Sequence, residues 1–423
     1  MSAVVEPYLR IAGHRRLTGE IRVNGAKNAA LPCLAAALLS DEPSRITRVP
    51  DIEDVHRLIE IVKTLGVEAE FQENEVAVRP LGVCGGSPPD DLAASLRASF
   101  LVMGPLLARA GEASCGAPGG DVIGARPLDV HLAGFRAFGA QVDSVGGRTI
   151  AHAPEGLRGA TIVLDYPSVL GTENLLLAAV LASGQTRIVN AAMEPEIGCL
   201  ADMLNAMGAR ISGAGQHTIT VDGVERLSGV VHELIPDRIE TGTLMIAAAA
   251  TRGDVRLTGV SPSHLEALLS KFAEIGVDVR RGDDELELTV DAAATLTATN
   301  VQALPYPGFA TDLQAPITAL LTGAAGTSMV HERVFENRMQ HLNELRKLGA
   351  SIVAGGSVSA INGPAALSGA VVRGTDIRAT AALIVAAFAA EGESRVYGMR
   401  HLARGYADLP AQLAALGADI ERV

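Results

Sequence analysis

A tripeptide of the form hydrophobic, glycine, alanine or valine recurs six times along this chain. The copies are Leu65-Gly66-Val67, Phe138-Gly139-Ala140, Met207-Gly208-Ala209, Ile275-Gly276-Val277, Leu348-Gly349-Ala350 and Leu416-Gly417-Ala418, at a spacing of about seventy residues. An internal repeat of that length restricts the fold before any other feature is weighed. Ahead of each copy runs an amphipathic segment; in the first, Leu58, Ile61, Val62 and Leu65 share one helix face. The glycine then ends the helix, and an alternating stretch such as Ala350-Ser351-Ile352-Val353 reads as a half-buried strand. A second, Ala-rich helix begins near Lys27, Arg97, Thr172, Thr241, Thr311 and Arg378 at the same spacing, and a turn and strand such as Gly184 to Val189 follow it.

The repeat is therefore a compact α/β unit, present six times. Its Ala-rich helices are apolar on most faces and must be buried inside sheets. A chain of 423 residues exceeds what one core fills, so two domains of three units each are expected. The boundary falls near Val231 to Pro236. A second crossing is expected near Val23 to Ala26, with the strands Tyr8 to Ile11 and Glu20 to Val23 both pairing with the last unit, which alone lacks a following strand. Residues 1–24 and 236–423 then form a discontinuous domain, and 25–235 an inserted one that carries the loop 113–131.

Aromatic residues make up only 3% of the chain and Trp is absent, so the interior is built from Ala, Val, Leu and Ile. The formal net charge of −13 repels polyanions, which argues against nucleic acid or an anionic membrane as partner and makes any anion site local. Cys33, Cys84, Cys115 and Cys199 have no C-x-x-C spacing, so neither a disulfide framework nor a metal cluster is expected. Met1 to Arg10 lacks a signal pattern, and the longest apolar run, Ala381 to Ala390, is too short to span a bilayer. A cytoplasmic protein is expected.

Chemistry concentrates where the Ala-rich helices begin, because a helix N-terminus offers free N–H groups and a positive dipole end to anions. Lys27-Asn28, Arg97-Ala98-Ser99, Ser168 to Asn174, Asp237-Arg238, Thr311-Asp312 and Arg378-Ala379-Thr380 stand at these places. Each has an ordinary reading, as a solvated charge or an N-cap. A cation there opposes the dipole by about 0.3–1 kcal/mol, however, so Lys27, Arg97 and Arg378 call for an anion. Between two such helices runs a glycine-rich arm, Ala117 to Pro127, in which Gly119, Gly120 and Gly124 surround Asp121 and Arg126. Its flexibility lets it lie against a ligand; the alternative is a plain surface turn.

Asn24 to Pro32, Leu96 to Ser99, Pro118-Gly119-Gly120 with Ile123 to Asp129, Pro236 to Gly242, Phe335 to Arg338 and Arg404-Gly405-Tyr406 together resemble the UDP-N-acetylglucosamine 1-carboxyvinyltransferase family over nearly the whole chain. The resemblance implies a two-domain inside-out α/β barrel, with three pseudo-symmetric units per domain. It also implies transfer of the enolpyruvyl group of phosphoenolpyruvate to the 3′-hydroxyl of UDP-N-acetylglucosamine, with release of phosphate and no metal or organic cofactor. By the same resemblance Lys27, Arg126 and Arg404 hold phosphoenolpyruvate, with Arg338 and Arg378 nearby and Asn28 positioning the sugar. Asp312 is the general base for the hydroxyl. Arg97, Ser168 and Val169 approach the diphosphate, Pro127, Leu128, Asp129 and Val130 line the uracil pocket, Val334 contacts the nucleotide, and Asp376 lies near the reacting centre.

Two positions depart from the family. Asp121 stands where a cysteine is usual, the residue that protonates C3 of phosphoenolpyruvate and is alkylated by the epoxide fosfomycin. Cys115, six residues earlier, reads as a small buried side chain. An ordinary aspartic acid is protonated in only about one molecule per thousand at neutral pH, so donation by Asp121 needs a closed, desolvated complex with the substrate anions, against the opposing charge of Arg126. The same change predicts resistance to fosfomycin. Leu170 replaces a glycine of a Ser-Val-Gly-Ala run, either crowding the diphosphate or passing that role to Gly171. Two further readings remain: an enolpyruvyl transferase with another acceptor, and a silent UDP-sugar-binding paralogue.

Overall fold

Helices that are largely apolar form the centre of each of two units in the structure, a computed structural model that describes residues 6–82, 85–291 and 293–423. Cys84 and Met1–Val5 lie outside the described residues. Contacts divide the chain into two units: Met1–Asn24, Asp121–Ala125 and Pro236–Val423 form the first, Gly25–Gly120 and Arg126–Ile235 the second. The arm is thus split. Asp121–Ala125 group with the first unit although the sequence places them inside the 25–235 segment, because their partners, Arg404, Glu336 and Asn337, all belong to that unit.

In the first unit the helices Arg238–Ala250, Gln314–Leu321 and Ile377–Ala389 pack on one another. Every residue of Ile377–Ala389 except the last is buried, which its run of alanines permits by letting neighbouring helices approach closely. The second unit has the corresponding helices Lys27–Ala36, Met103–Ala110 and Val169–Ala179. Two of the six begin with a tighter turn of 3-10 helix, Arg97–Val102 and Thr311–Leu313, so their polar first residues precede the α-helix proper. The outer helices are amphipathic by contrast: Glu53–Lys63 buries Leu58, Ile61 and Val62 and exposes Glu60 and Lys63. All six repeat glycines lie in the left-handed region, with φ between 89° at Gly276 and Gly417 and 107° at Gly208.

Each unit carries three sheets; among the described residues five of the six mix strand directions, and the sixth, Glu112–Cys115, Arg148–His152 and Gln141–Val145, is antiparallel throughout. The five share one pattern: in one sheet Val301–Ala303 runs parallel to Gly326–Glu332, which pairs antiparallel with Val358–Gly363, and that strand with Ser351–Gly355. Tyr8–Ala12 fills the third position of the last repeat's sheet, between Glu393–Tyr397 and Asp419–Arg422, as expected for a repeat that lacks its own strand. The second N-terminal strand does not join it. Thr18–Arg22 instead runs parallel to Asp254–Thr258 in the fourth repeat's sheet, and Val231–Glu233 takes the equivalent edge beside Ser44–Thr47 in the second unit. Among the described residues no helix is long and apolar enough to cross a membrane.

Candidate functional site

The first unit gathers its charged residues at the beginnings of its central helices. Asp376 caps Ile377–Ala389, its Oδ1 accepting the N–H groups of Arg378 (2.9 Å) and Ala379 (3.0 Å). This fixes the backbone of Arg378, whose guanidinium reaches Asp312: Nη2 and Nε lie 2.8 and 3.1 Å from Oδ2. The other carboxylate oxygen meets Arg338 Nη2 at 2.6 Å. Arg338 and Arg378 are only 6% and 4% exposed, so one carboxylate answers two buried cations and leaves an excess positive charge. Burial alone would push the Asp312 carboxyl up, but the charges of Arg378 and Arg338 outweigh it and hold the group well below the usual carboxylate range.

A second layer of partners orients this triad. Arg338 Nη1 donates to Thr311 Oγ1 (2.9 Å), and that hydroxyl donates to the buried Glu332 (2.7 Å), whose other oxygen accepts the N–H groups of Val334 and Phe335. Arg338 Nε is buried with no hydrogen-bond partner among the described residues. Burial, aided by the Arg338 charge, pushes neighbouring His341 down to about 3, so it stays neutral. On the other side the Arg378 guanidinium lies over the Tyr406 ring, 5.2 Å from its centre, and the buried Tyr406 hydroxyl bonds Thr243 Oγ1 at 2.8 Å.

The arm's acid is also tied here. Asp121 Oδ1 lies 2.5 Å from Arg404 Nη1, a partner other than the Arg126 that sequence reasoning set against it. Beyond Asp121, the Ala125 N–H donates to Glu336 Oε1 (2.6 Å) and the Asn337 N–H to the Ile123 carbonyl (3.1 Å).

In the second unit Lys27, the first residue of its helix, forms an ion pair with Asp54 (Nζ to Oδ2, 2.7 Å), both side chains buried. Asn28 beside it is half-buried. Arg97 donates to the Arg126 carbonyl, and burial, with the Arg126 charge, pushes its guanidinium down to about 10. Asp129 accepts from its own helix at the Val130 N–H (2.8 Å) and from the Tyr166 hydroxyl (3.1 Å). Pro127 is exposed and Leu128 half-buried just before that helix. Ser168 caps the helix of Val169, accepting the Gly171 N–H at 3.2 Å. A side chain at Gly171 would lie 2.7 Å from Val130, so glycine is required at 171 by packing, and Leu170 beside it is half-buried.

The sequence argument that cations at helix starts call for a ligand anion needs correction, because the chain supplies its own for two of the three: Asp54 for Lys27 and Asp312 for Arg378. Asp54, Glu332, Glu336 and Tyr166 were not singled out by sequence. Asp54 sits in the first turn of an ordinary amphipathic helix and gives no signal there. The cysteine spacing argument also missed a cluster: Cys33, Cys199 and His232 come together inside the second unit. Cys115 is buried and distinct from Asp121, as expected.

Known proteins resemble this chain over nearly its whole length. The family model for EPSP synthase (3-phosphoshikimate 1-carboxyvinyltransferase) matches residues 11–413. UDP-N-acetylglucosamine 1-carboxyvinyltransferase 2 of Carboxydothermus hydrogenoformans is 48% identical over 98% of both chains, and the corresponding enzyme 1 of Staphylococcus aureus is 46% identical over the same share. Among solved structures, the enolpyruvyl transferase NikO from Streptomyces tendae matches with a TM-score of 0.89 at 28% identity over 99% of both chains. An EPSP synthase of Acinetobacter baumannii, at 18% identity and a TM-score of 0.75, shares the fold.

Proposed function

This chain belongs to the UDP-N-acetylglucosamine 1-carboxyvinyltransferase family of enolpyruvyl transferases, and from that membership we infer that it transfers the enolpyruvyl group of phosphoenolpyruvate to the 3′-hydroxyl of UDP-N-acetylglucosamine, releasing phosphate, in the first committed step of peptidoglycan synthesis. The observation that carries the reading into chemistry is Asp312, one carboxylate held between the buried guanidiniums of Arg338 and Arg378. A dianionic substrate would draw those cations toward itself and release the carboxylate to accept a proton.

In the reaction the sugar hydroxyl loses its proton to Asp312 as its oxygen bonds to C2 of phosphoenolpyruvate. C3 takes a proton from Asp121, giving a methyl-bearing tetrahedral intermediate. Loss of a proton from that methyl and departure of phosphate then restore the double bond. Lys27, Arg126 and Arg404, with Arg338 and Arg378, serve the phosphate and carboxylate, and Asn28 the sugar. Arg97, Ser168 and Val169 serve the diphosphate, Pro127, Leu128, Asp129 and Val130 the uracil, and Val334 the nucleotide. Each unit reads as one inside-out α/β barrel, its central helices enclosed by three sheets. A cytoplasmic setting accords with the three described cysteines, all free.

Phosphate release from phosphoenolpyruvate, measured with UDP-N-acetylglucosamine, other UDP-sugars and shikimate 3-phosphate, tests the acceptor. Turnover with UDP-N-acetylglucosamine alone supports the assignment; turnover only with another acceptor, or none, removes it.

A further inference from the structure

Cys33 lies on the helix Lys27–Ala36, Cys199 on the helix Pro195–Ala206 and His232 on the strand Val231–Glu233, three elements of the second unit that are remote in sequence. Their sulfur and nitrogen atoms all lie within 4.8 Å of one another, and Cys199 Sγ is 3.3 Å from His232 Nε2. Tetrahedral zinc, with bonds of about 2.3 Å to sulfur and about 2.0 Å to nitrogen, sets those two atoms about 3.5 Å apart. The side chains already stand close to that geometry. Both cysteines are buried and unbridged, while His232 is half-buried and gives a small ion access.

Fully buried Glu173 has an oxygen, Oε1, with no hydrogen-bond partner among the described residues; burial, with Glu196 and Glu194 near it, favours its neutral form, so it adds no charge to the site. Two thiolates and a neutral imidazole carry two negative charges, which a divalent ion cancels, so the loaded site can be buried without net charge.

We propose that Cys33, Cys199 and His232 form a three-ligand site for a borderline or soft metal ion of the zinc class, separate from the enolpyruvyl chemistry, with water completing the coordination. Metal binding sends the remaining thiol protons to solvent. The ion ties the helix that begins at Lys27 to the strand leading into Ile235, whose carbonyl accepts the Ala26 N–H at 2.8 Å immediately before that helix. It would brace the start of the helix rather than take part in turnover.

The full chain, stripped of metal and kept reduced, is titrated with Co(II). The expected result is a near-ultraviolet sulfur-to-cobalt charge-transfer band with intense tetrahedral visible bands, saturating at one ion per chain and displaced by Zn(II). Excess Zn(II) should also raise Tm by roughly 2 °C or more. C33S and C199S should lose the bands and C115S keep them. Absence of charge-transfer bands in the wild-type chain overturns the proposal without reference to any variant, and so do bands that survive unchanged in both C33S and C199S.

Discussion

Asp121 and Arg404 form an ion pair, Oδ1 to Nη1 at 2.5 Å, that fastens the glycine arm to the turn after the helix Met399–Leu402. That contact occupies Asp121, so the proposed donation to C3 requires Arg404 to turn first to the substrate's phosphate. Asp121→Asn should lower kcat by at least about 100-fold, the usual range for losing a general acid. Asp121→Cys should retain turnover and acquire time-dependent inactivation by fosfomycin, which the wild-type enzyme should resist because a carboxylate is a poor nucleophile toward the epoxide. Inactivation assays with micromolar drug on both proteins check this.

Asp312→Asn should lower kcat by roughly 100- to 10,000-fold and reduce stability at neutral pH by about 3 kcal/mol, because Arg338 and Arg378 stay buried with their shared anion gone. The sign of the pH dependence follows from the low folded value of this carboxyl. Its contribution is fully present above the ordinary carboxylate value of about 3.9 and fades as pH falls below it toward the folded value. Urea unfolding at pH 7 and pH 3 should show the variant's deficit shrinking at the lower pH.

Lys27→Met should cost about 3 kcal/mol, since Asp54 is 2% exposed and would keep an uncompensated charge. Asp54→Asn leaves the ammonium in place but less firmly held. It should raise KM for phosphoenolpyruvate about tenfold with a smaller change in kcat. Steady-state kinetics and thermal unfolding of the two variants separate these effects.

Gly124 has φ +146°, and a methyl group there would sit 2.5 Å from Glu336 Oε2. Gly124→Ala should dislodge the arm from Glu336 and lower kcat/KM by about tenfold, while Tm moves little because the arm is not part of the core. Glu336→Gln, which keeps an acceptor for the Ala125 N–H, should retain most activity.

Much of the architecture was legible because it repeats. One tripeptide written six times places six helix ends, and the glycine in each takes the backbone conformation that such an end requires. Alanine-rich helices that are apolar on most faces could only be central ones. The pairing of Thr18–Arg22 with the fourth repeat was hidden, since the fourth and the last repeat's sheets each take a strand from the N-terminal segment and the sequence of a short strand does not name its neighbour. Charged residues at helix starts were visible as types in position, but their partners were not. Asp54 reaches Lys27 from an ordinary amphipathic helix, Glu336 reaches the arm from a motif that assigned it no role, and Arg97 is met by a backbone carbonyl that no side-chain pattern reveals. Cys33, Cys199 and His232 escaped for a related reason: spacing rules find ligands within one element, and these come from three.

The central claim is enolpyruvyl transfer to UDP-N-acetylglucosamine through a protonated C3, and the reaction run in deuterium oxide tests it most directly. Proton NMR and mass spectrometry of the nucleotide product should show an enolpyruvyl ether at the sugar 3′-oxygen with deuterium in its vinyl group, because the methyl of the tetrahedral intermediate takes a solvent-derived deuteron and then loses one of its three hydrogens. Phosphate released with UDP-N-acetylglucosamine left unmodified, or an ether formed with no vinyl deuterium, would contradict it.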